Sequence, residues 1–136
     1  MSRQVVIVGC GKIGRALVEQ YTRADVDVVV IDEDANKLDE VRDLSAVCLC
    51  GVPIDREVLE RAGLGSADTV LCVSDSENLN VMVGQMAKQI FGVPEVMIRT
   101  FLPANTPVYE QMGLKVICVT QLFVDSIMQL SEEDRR

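Results

Sequence analysis

The chain has 136 residues, of which 49% are hydrophobic, 13 are basic and 21 are acidic, so its formal net charge is −8. This length fits one domain that buries its own core without disulfides or metals, and the acidic balance argues against nucleic acid and an anionic membrane surface as direct partners. No window approaches the roughly 18 apolar residues of a membrane span, and the N-terminus lacks the shape of a signal peptide.

The cysteines, five in number, lie mostly in apolar strand patterns. That placement is typical of reduced, buried thiols in a cytosolic protein. Cys48 and Cys50 share one side of a predicted strand, but the chain contains no histidine and no CxxC motif. The sequence therefore disfavours a zinc site.

The first strand pattern and the turn after it carry the clearest motif. An apolar strand (4–8) leads into a glycine turn (Gly9–Gly14), then a helix (13–23) and a second strand (27–32). In a Gly-x-Gly-x-x-Gly turn the first glycine turns the chain, the second lets a phosphate approach, and the third lets the helix pack on the strand. The helix N-terminus adds N–H groups and a positive dipole end. Asp32 follows the third glycine by 18 residues and is the candidate acid for a ribose 2′-OH.

Helix and strand patterns alternate along the rest of the chain. The predicted helices are at about 34–44, 56–62, 76–91, 105–112 and 120–131, the predicted strands at 46–50, 69–73, 95–100 and 114–118, and the charged tail at 132–136. Such a βαβ series predicts one α/β domain over residues 1–131. Its expected fold is a Rossmann-like, doubly wound sheet of six parallel strands in the order 3-2-1-4-5-6.

Ligands of such sheets bind beyond the carboxyl ends of the strands, where the strand order reverses. The predicted lining of this crevice is Gly9, Cys10, Gly11, Lys12, Ile13, Gly14, Asp32, Glu33, Cys50, Gly51, Val52, Val73, Ser74 and Asp75. Arg99 lies near the same crevice. From the residues alone, Asp75 could equally be a helix N-cap and Arg99 a partner in a salt bridge.

The sequence offers a nucleotide pocket without catalytic machinery. The sheet uses the whole chain, so no region is left to hold a substrate, and histidine, the commonest general acid or base, is missing. We therefore expect a sensor rather than an enzyme, with bound nucleotide biasing a larger complex. An NAD-dependent oxidoreductase domain that works with a partner chain and an adaptor with a vestigial site remain as alternatives.

The last predicted helix is apolar over more than one stripe of its surface. Its apolar residues are Leu122, Phe123, Val124, Ile127, Met128 and Leu130. A helix of this kind is buried on more than one side, and a second chain is the expected cover. The alternative is an ordinary helix that packs on its own sheet.

Several stretches together resemble a known family over about residues 4 to 130. They are Val6–Gly14, Val30–Asp34, Glu57–Leu64, Ala67–Val70, Ser74–Leu79 and Gly92–Val96 with Ile98-Arg99. The chain resembles the nucleotide-binding N-terminal domain of the proteins that regulate potassium conductance, known as RCK, KTN or TrkA-N domains.

The resemblance implies a cytoplasmic regulatory subunit of a potassium channel or transporter, peripheral at the inner face of the membrane through its partner. Such domains bind adenine nucleotides (NAD(H), ATP, ADP or AMP) and pair into dimers and rings of dimers. By the same resemblance, Lys12 contacts phosphate, Asp32 holds the ribose, Arg99 lies near the phosphate and dimer side, and the last helix crosses to a neighbouring subunit. An acid at Asp32 disfavours NADP, because it repels a 2′-phosphate.

Three departures from the family limit what carries over. The family usually has Gly-Asp-Ala-Thr after the third strand, whereas this chain has Gly51–Ile54, so the adenine contact does not carry over. The family's Pro-Glu at the start of the last helix is Thr120-Gln121 here, so a cation site at the dimer interface does not carry over either. The family's C-terminal ligand-binding domain has no counterpart, which leaves a single-domain form or a fragment.

Overall fold

The computed structural model describes residues 3–133. Its single sheet has six parallel strands in the order β3-β2-β1-β4-β5-β6. The strands are β1 (Gln4–Val8), β2 (Asp27–Asp32), β3 (Ala46–Cys50), β4 (Thr69–Cys72), β5 (Glu95–Thr100) and β6 (Lys115–Cys118). The helices are α1 (Lys12–Arg23), α2 (Ala35–Asp39), α3 (Arg56–Arg61), α4 (Glu77–Gln89), α5 (Thr106–Gln111) and α6 (Val119–Glu133). The predicted fold class and strand order are confirmed.

The core has two layers because both faces of the central strands are covered. In β1, Val5 and Ile7 pack against α1 and α2, while Val6 and Val8 pack against the helices of the other face. All four side chains are at most 2% exposed. This is why β1 is a continuous apolar run rather than an alternating one.

Helix α2 is shorter than predicted and ends at Asp39 rather than near Leu44. The apolar residues Leu38, Val41 and Leu44 recur every three residues. Backbone hydrogen bonds follow the same spacing, from Val41 N to Leu38 O at 3.1 Å and from Leu44 N to Val41 O at 3.0 Å. A three-residue repeat fits tight turns better than the 3.6-residue turn of an α-helix. The chain therefore continues after Asp39 as a series of turns rather than as α-helix.

Helix α6 is longer than predicted at both ends, since it begins at Val119 and runs to Glu133. Residues 132 and 133, predicted as tail, therefore belong to the helix. The remaining tail positions, 134–136, lie outside the described residues. Between residues 3 and 133, no helix is both long and apolar enough to cross a bilayer.

Candidate functional site

The glycine turn between β1 and α1 has close contacts at its first and third glycines and open space at its second. A Cβ on Gly14 would lie 1.9 Å from the carbonyl oxygen of Gly9, and one on Gly9 would lie 2.8 Å from the backbone nitrogen of Ser74. A Cβ on Gly11 would meet nothing within 4 Å. The first and third glycines therefore let backbones pack together, and the second leaves room for a ligand.

Helix α1 begins at this turn with its N-terminus uncapped by a side chain. Gly11 is the N-cap residue, and the first turn contains no acidic residue. The N-terminal N–H groups and the positive end of the helix dipole are thus available to an anion.

A cavity of about 320 Å³ lies at the glycine turn, and we call it the basic cavity. Its lining residues are Cys10, Gly11, Lys12, Ile13, Arg15, Lys37, Asp75 and Arg99. Four of these eight residues are cationic and one is acidic, although the whole chain carries a net charge of −8. Such a concentration of positive charge suits a polyanionic ligand.

Arg99 reaches the basic cavity from the end of β5 and is held by the loop after β4. Its Nη1 donates to the Val73 and Ser74 carbonyl oxygens at 3.4 and 3.3 Å and to Asp75 Oδ1 at 3.1 Å. The guanidinium lies 4.9 Å from the ring centroid of Phe101. The salt-bridge alternative for Arg99 is therefore confirmed, and it leaves open a second role toward a ligand.

Asp75 is not the N-cap of α4, so that alternative is wrong. Ser76 is the N-cap residue, and its Oγ accepts a hydrogen bond from the Leu79 amide at 3.2 Å. The Asp75 side chain is 85% exposed. It lines the basic cavity and partly neutralises Arg99.

Asn80 organises the loop behind the cavity, and sequence reasoning missed it. Its fully buried amide donates to the Ser74 and Arg99 carbonyl oxygens at 3.0 and 2.9 Å. Its Oδ1 accepts from the Ser74 amide and hydroxyl at 2.9 and 2.7 Å. Ser74, which was predicted to line the crevice, is thus hydrogen-bonded to Asn80 and is not among the residues that line the basic cavity. A polar residue on the buried face of an amphipathic helix was the available signal.

Asp32 lies beneath the glycine turn and is only 8% exposed. Its Oδ2 accepts from the Cys10 amide and its Oδ1 from the Asp34 amide, both at 2.8 Å. The carboxylate therefore fixes the turn to the end of β2. Each oxygen keeps a further lone pair, so the predicted ribose contact stays a prediction.

Four predicted lining residues lie away from the basic cavity, at the ends of β2 and β3. They are Glu33, Cys50, Gly51 and Val52. Cys50 Sγ donates to the Glu33 carbonyl at 3.6 Å, and a Cβ on Gly51 would meet Val58 Cγ2 at 2.9 Å. Val52, where the family pattern departs, is exposed. Their predicted place in the lining of the nucleotide crevice stays a prediction.

A second cavity of about 320 Å³ opens between α1, the sheet and the start of α6, and we call it the apolar cavity. Its lining residues are Ile13, Leu17, Tyr21, Leu71, Val73, Met97, Ile98, Arg99, Ile117, Val119 and Leu122. The predicted lining residue Val73 faces this cavity. Ile13 and Arg99 line both cavities, so the two spaces adjoin.

Sequence reasoning also missed two cations of the basic cavity, Arg15 and Lys37. Arg15 follows Lys12 by three residues on α1, and side chains at that spacing share a helix face. That signal was available in the sequence. Lys37 lies on the short helix α2, and its approach to the glycine turn depends on how that helix folds over the sheet.

Two buried cysteines, Cys10 at the glycine turn and Cys72 at the end of β4, are poorly suited to nucleophilic chemistry. Burial, and then the nearby Asp32 carboxylate, raise the pKa of the Cys10 thiol to about 11. Burial also raises the pKa of Cys72 to about 12. Both thiols are therefore neutral at physiological pH. In the part of the chain that the structure describes, no three His, Cys, Asp or Glu side chains converge as metal ligands.

Curated relatives of the chain are potassium uptake proteins. It is 27% identical over 126 residues to the Trk system potassium uptake protein TrkA of Streptomyces coelicolor, covering 92% of this chain and 56% of the relative. It is 28% identical over 123 residues to a TrkA homolog of Archaeoglobus fulgidus, covering 88% of this chain and 28% of the relative. The chain thus spans about half or less of the length of these relatives.

Solved structures share the fold at low sequence identity. The TrkA-N domain of the Escherichia coli inner membrane protein YbaL matches with a TM-score of 0.86 at 18% identity, covering 96% of this chain and 97% of that domain. The GsuK channel bound to NAD matches with a TM-score of 0.77 at 15% identity, over 90% of this chain and 22% of the channel chain. The Shewanella denitrificans Kef C-terminal domain in its AMP-bound form matches with a TM-score of 0.76 at 16% identity, over 95% of this chain and 80% of that one.

The TrkA-N family model matches residues 5–120, which includes the glycine turn, the basic cavity and, apart from Gln4, all six strands. The chain belongs to the TrkA-N domain family.

Proposed function

We propose that this protein is a nucleotide-binding regulatory subunit of a potassium channel or transporter. The observation that carries the proposal is the basic cavity over the glycine turn, where Gly11 leaves space, α1 presents its N-terminus and four cations converge. This arrangement suits the phosphates of a nucleotide. Membership of a family whose curated relatives are potassium uptake proteins supports the regulatory role.

The ligand is an adenine nucleotide: NAD(H), ATP, ADP or AMP. Two structural neighbours were solved with NAD and with AMP. In this proposal Lys12 and Arg99 contact phosphate, and Asp32 accepts from the ribose hydroxyls with the lone pairs that its two amide bonds leave. The buried carboxylate disfavours NADP because it would face the 2′-phosphate of that cofactor.

The protein acts as a homo-oligomer, and α6 is the element that joins its copies. Phe123 on α6 is 67% exposed, and five further apolar side chains of this helix are exposed with it. The apolar cavity at the base of α6 is an equally apolar surface on the same chain. Two copies related by a two-fold axis would bury both surfaces at once.

The membrane partner is an integral potassium channel or transporter subunit, which holds the protein at the cytoplasmic face. The protein is not an enzyme in this proposal, because the basic cavity offers cations and N–H groups for binding, and its acidic lining residue, Asp75, is exposed and paired with Arg99. The names of the curated relatives support a role in potassium uptake.

Thermal unfolding with added nucleotides tests this function. A ligand at about 100 times its Kd should stabilise the folded protein by roughly 2.7 kcal/mol. We expect a clear rise in Tm with NAD, NADH, AMP, ADP or ATP and the smallest rise with NADP. Lys12→Gln should reduce the rise, and Lys88→Gln, on the far end of α4, should leave it unchanged.

Three results would contradict the proposal in different ways. The largest stabilisation by NADP would refute the role of Asp32. No stabilisation by any adenine nucleotide at millimolar concentration would favour an adaptor with a vestigial site. Steady oxidation of NADH by the pure chain, lost in Asp75→Ala, would favour an oxidoreductase.

A further inference from the structure

The four cations of the basic cavity come from three elements. Lys12 is the first residue of α1, at its uncapped N-terminus, and Arg99 reaches the cavity from β5. Arg15 and Lys37 line the same cavity from α1 and from the facing helix α2. Neither of these two is a residue that the family pattern assigns to phosphate.

Arg15 and Lys37 are only weakly compensated by acidic groups among the described residues. Arg15 has a long, solvent-exposed ion pair with Glu40, whose Oε2 lies 3.8 Å from Nη1, beyond hydrogen-bonding distance. No ion pair involves Lys37 in the part of the chain that the structure describes. By contrast, Arg99 is already held by Asp75 and two carbonyl oxygens. The less compensated positive charge of the cavity therefore lies on the α1–α2 side.

Helix α2 is fixed to the glycine turn, so Lys37 is held near it. The Cys10 thiol donates to the Lys37 carbonyl oxygen at 3.4 Å, and the Cys10 amide donates to Asp32 Oδ2 at 2.8 Å. The same residue thus connects the turn, the end of β2 and the first turn of α2. A subsite on this side would be formed before a ligand arrives, which lowers the cost of ordering it on binding.

The charges of the cavity call for more than one phosphate. Four cations and one acid line it, and one phosphate monoester carries a charge of about −2 at neutral pH. A ligand with one phosphate would leave part of this positive charge without an anionic ligand group.

We propose that Arg15 and Lys37 form a second phosphate subsite, which makes the protein select nucleoside diphosphates and triphosphates over nucleoside monophosphates. This inference rests on the proposed function, since it names the ligand class of the same site. The second phosphate could belong to the phosphate chain or be attached to the ribose. Asp32 favours the chain, because its carboxylate lies where the ribose is expected and repels a phosphate there.

The test measures dissociation constants by calorimetry for AMP, ADP and adenosine 2′,5′-bisphosphate. The variants are Arg15→Gln and Lys37→Gln. Arg23→Gln is the matched control, since it removes the same charge from the last turn of α1, far from the cavity. Glu40→Gln controls for loss of the weak contact to Arg15. A melting curve for each variant establishes that it is folded.

We expect wild-type protein to bind ADP at least tenfold more tightly than AMP. Each cavity variant should raise the Kd for ADP about tenfold, as expected for loss of one charge-assisted hydrogen bond, and should change the Kd for AMP less than threefold. Arg23→Gln and Glu40→Gln should keep the wild-type preference.

Contrary results separate the subsite from the function. If ADP and AMP bind with the same affinity, or if the preference survives in both cavity variants, the subsite is wrong while nucleotide binding stands. If the variants weaken adenosine 2′,5′-bisphosphate but not ADP, the chain-phosphate preference is wrong. If wild-type protein binds none of the three, the proposed function fails, and the subsite with it.

Discussion

At the scale of single residues, different glycines of the turn serve backbone packing and ligand access. Gly14 and Gly11 lie three residues apart, yet a Cβ at Gly14 would collide with backbone and one at Gly11 would enter open space. Gly11 also has extended backbone angles (φ −79°, ψ −159°) that alanine can adopt. The two positions therefore allow stability and binding to be tested independently.

Gly14→Ala should mainly lower the free energy of unfolding, whereas Gly11→Ala should mainly lower nucleotide affinity. The methyl group at position 14 would lie 1.9 Å from the Gly9 carbonyl oxygen, and the shift needed to relieve this should cost about 3 kcal/mol of unfolding free energy or more. At position 11 the loss should stay within about 1 kcal/mol, because alanine is only a poorer N-cap than glycine. Nucleotide affinity should nevertheless fall at least tenfold, since the methyl group enters the basic cavity.

Urea unfolding and nucleotide titration check this pair. An equal loss of stability in both variants would mean that the turn is more crowded at Gly11 than the structure shows. Unchanged nucleotide affinity in Gly11→Ala would mean that the ligand does not approach the second glycine.

The residues that sequence could predict are those whose neighbours in the chain determine their role. Gly9–Gly14 and Asp32 follow from a local pattern of strand, turn, helix and strand, and the structure places them at one point. A polar residue on a buried helix face marks Asn80 as a candidate, but its contact with Arg99 spans 19 residues, and the contact of Lys37 with the glycine turn spans 27. No local pattern identifies partners at such separations, so the folded chain is needed to reveal them.

At the scale of secondary structure elements, the first turn of α4 holds the segment after β5. Glu77 accepts hydrogen bonds from the Phe101 amide at 2.6 Å, the Leu102 amide at 3.1 Å, Asn105 Nδ2 at 3.0 Å and the Tyr109 hydroxyl at 2.9 Å. Burial alone would raise the pKa of this carboxyl, but the hydrogen bonds outweigh burial and lower the pKa to about 2. One carboxylate thus connects α4 to α5.

The contribution of Glu77 to stability should depend on pH with a definite sign. Because its pKa falls from an ordinary value of 4.5 to about 2 on folding, the stabilisation is complete above about pH 4.5 and is lost as the pH falls toward 2. At pH 7, Glu77→Gln should cost about 2 kcal/mol, as expected for hydrogen bonds to a charged group. The difference between wild type and Glu77→Gln should shrink steadily from pH 5 to pH 3.

Urea unfolding at several pH values measures this difference. Glu19→Gln, on the exposed face of α1, is the matched control and should track wild type at every pH. A Glu77→Gln penalty that stays constant between pH 5 and pH 3 would show that the carboxylate charge is not what stabilises this contact.

The elements themselves were predicted well where pattern and packing agree. The strands are apolar runs bounded by turns, and the alternation with helices leaves few topologies, so the sheet order follows from general rules. Helix α2 was predicted too long because its apolar residues can serve either a helix or a series of tight turns, and packing on the sheet decides between them. The end of α6 carries no glycine or proline that would mark a stop.

At the scale of the whole molecule, the two cavities and α6 form one continuous region. Ile13 and Arg99 line both the basic and the apolar cavity, and Leu122 belongs to both the apolar cavity and α6. A nucleotide that engages Arg99 and a second copy that covers the apolar cavity would therefore contact the same side chains. Two ligands that order the same groups bind cooperatively.

The last prediction joins assembly to nucleotide binding. Wild-type protein should sediment as more than one chain, and Phe123→Asp should sediment as a monomer with a similar Tm, because Phe123 is 67% exposed within one copy. Met82→Asp, at an exposed apolar position of α4, is the matched control and should still assemble.

Thermodynamic linkage relates the effect of ADP on dimer formation to the effect of dimer formation on ADP affinity. If ADP tightens the dimer by some factor, the monomeric Phe123→Asp variant must bind ADP more weakly by a matching factor, since coupling between two sites is reciprocal. The shared contacts at Arg99 and Ile13 lead us to expect a factor of about five or more. Calorimetry on the variant and sedimentation of wild type with and without ADP measure the two sides separately. Equal ADP affinity in dimer and monomer would show that the cavities, though adjoining, act independently, and monomeric wild-type protein at high concentration would refute the role of α6.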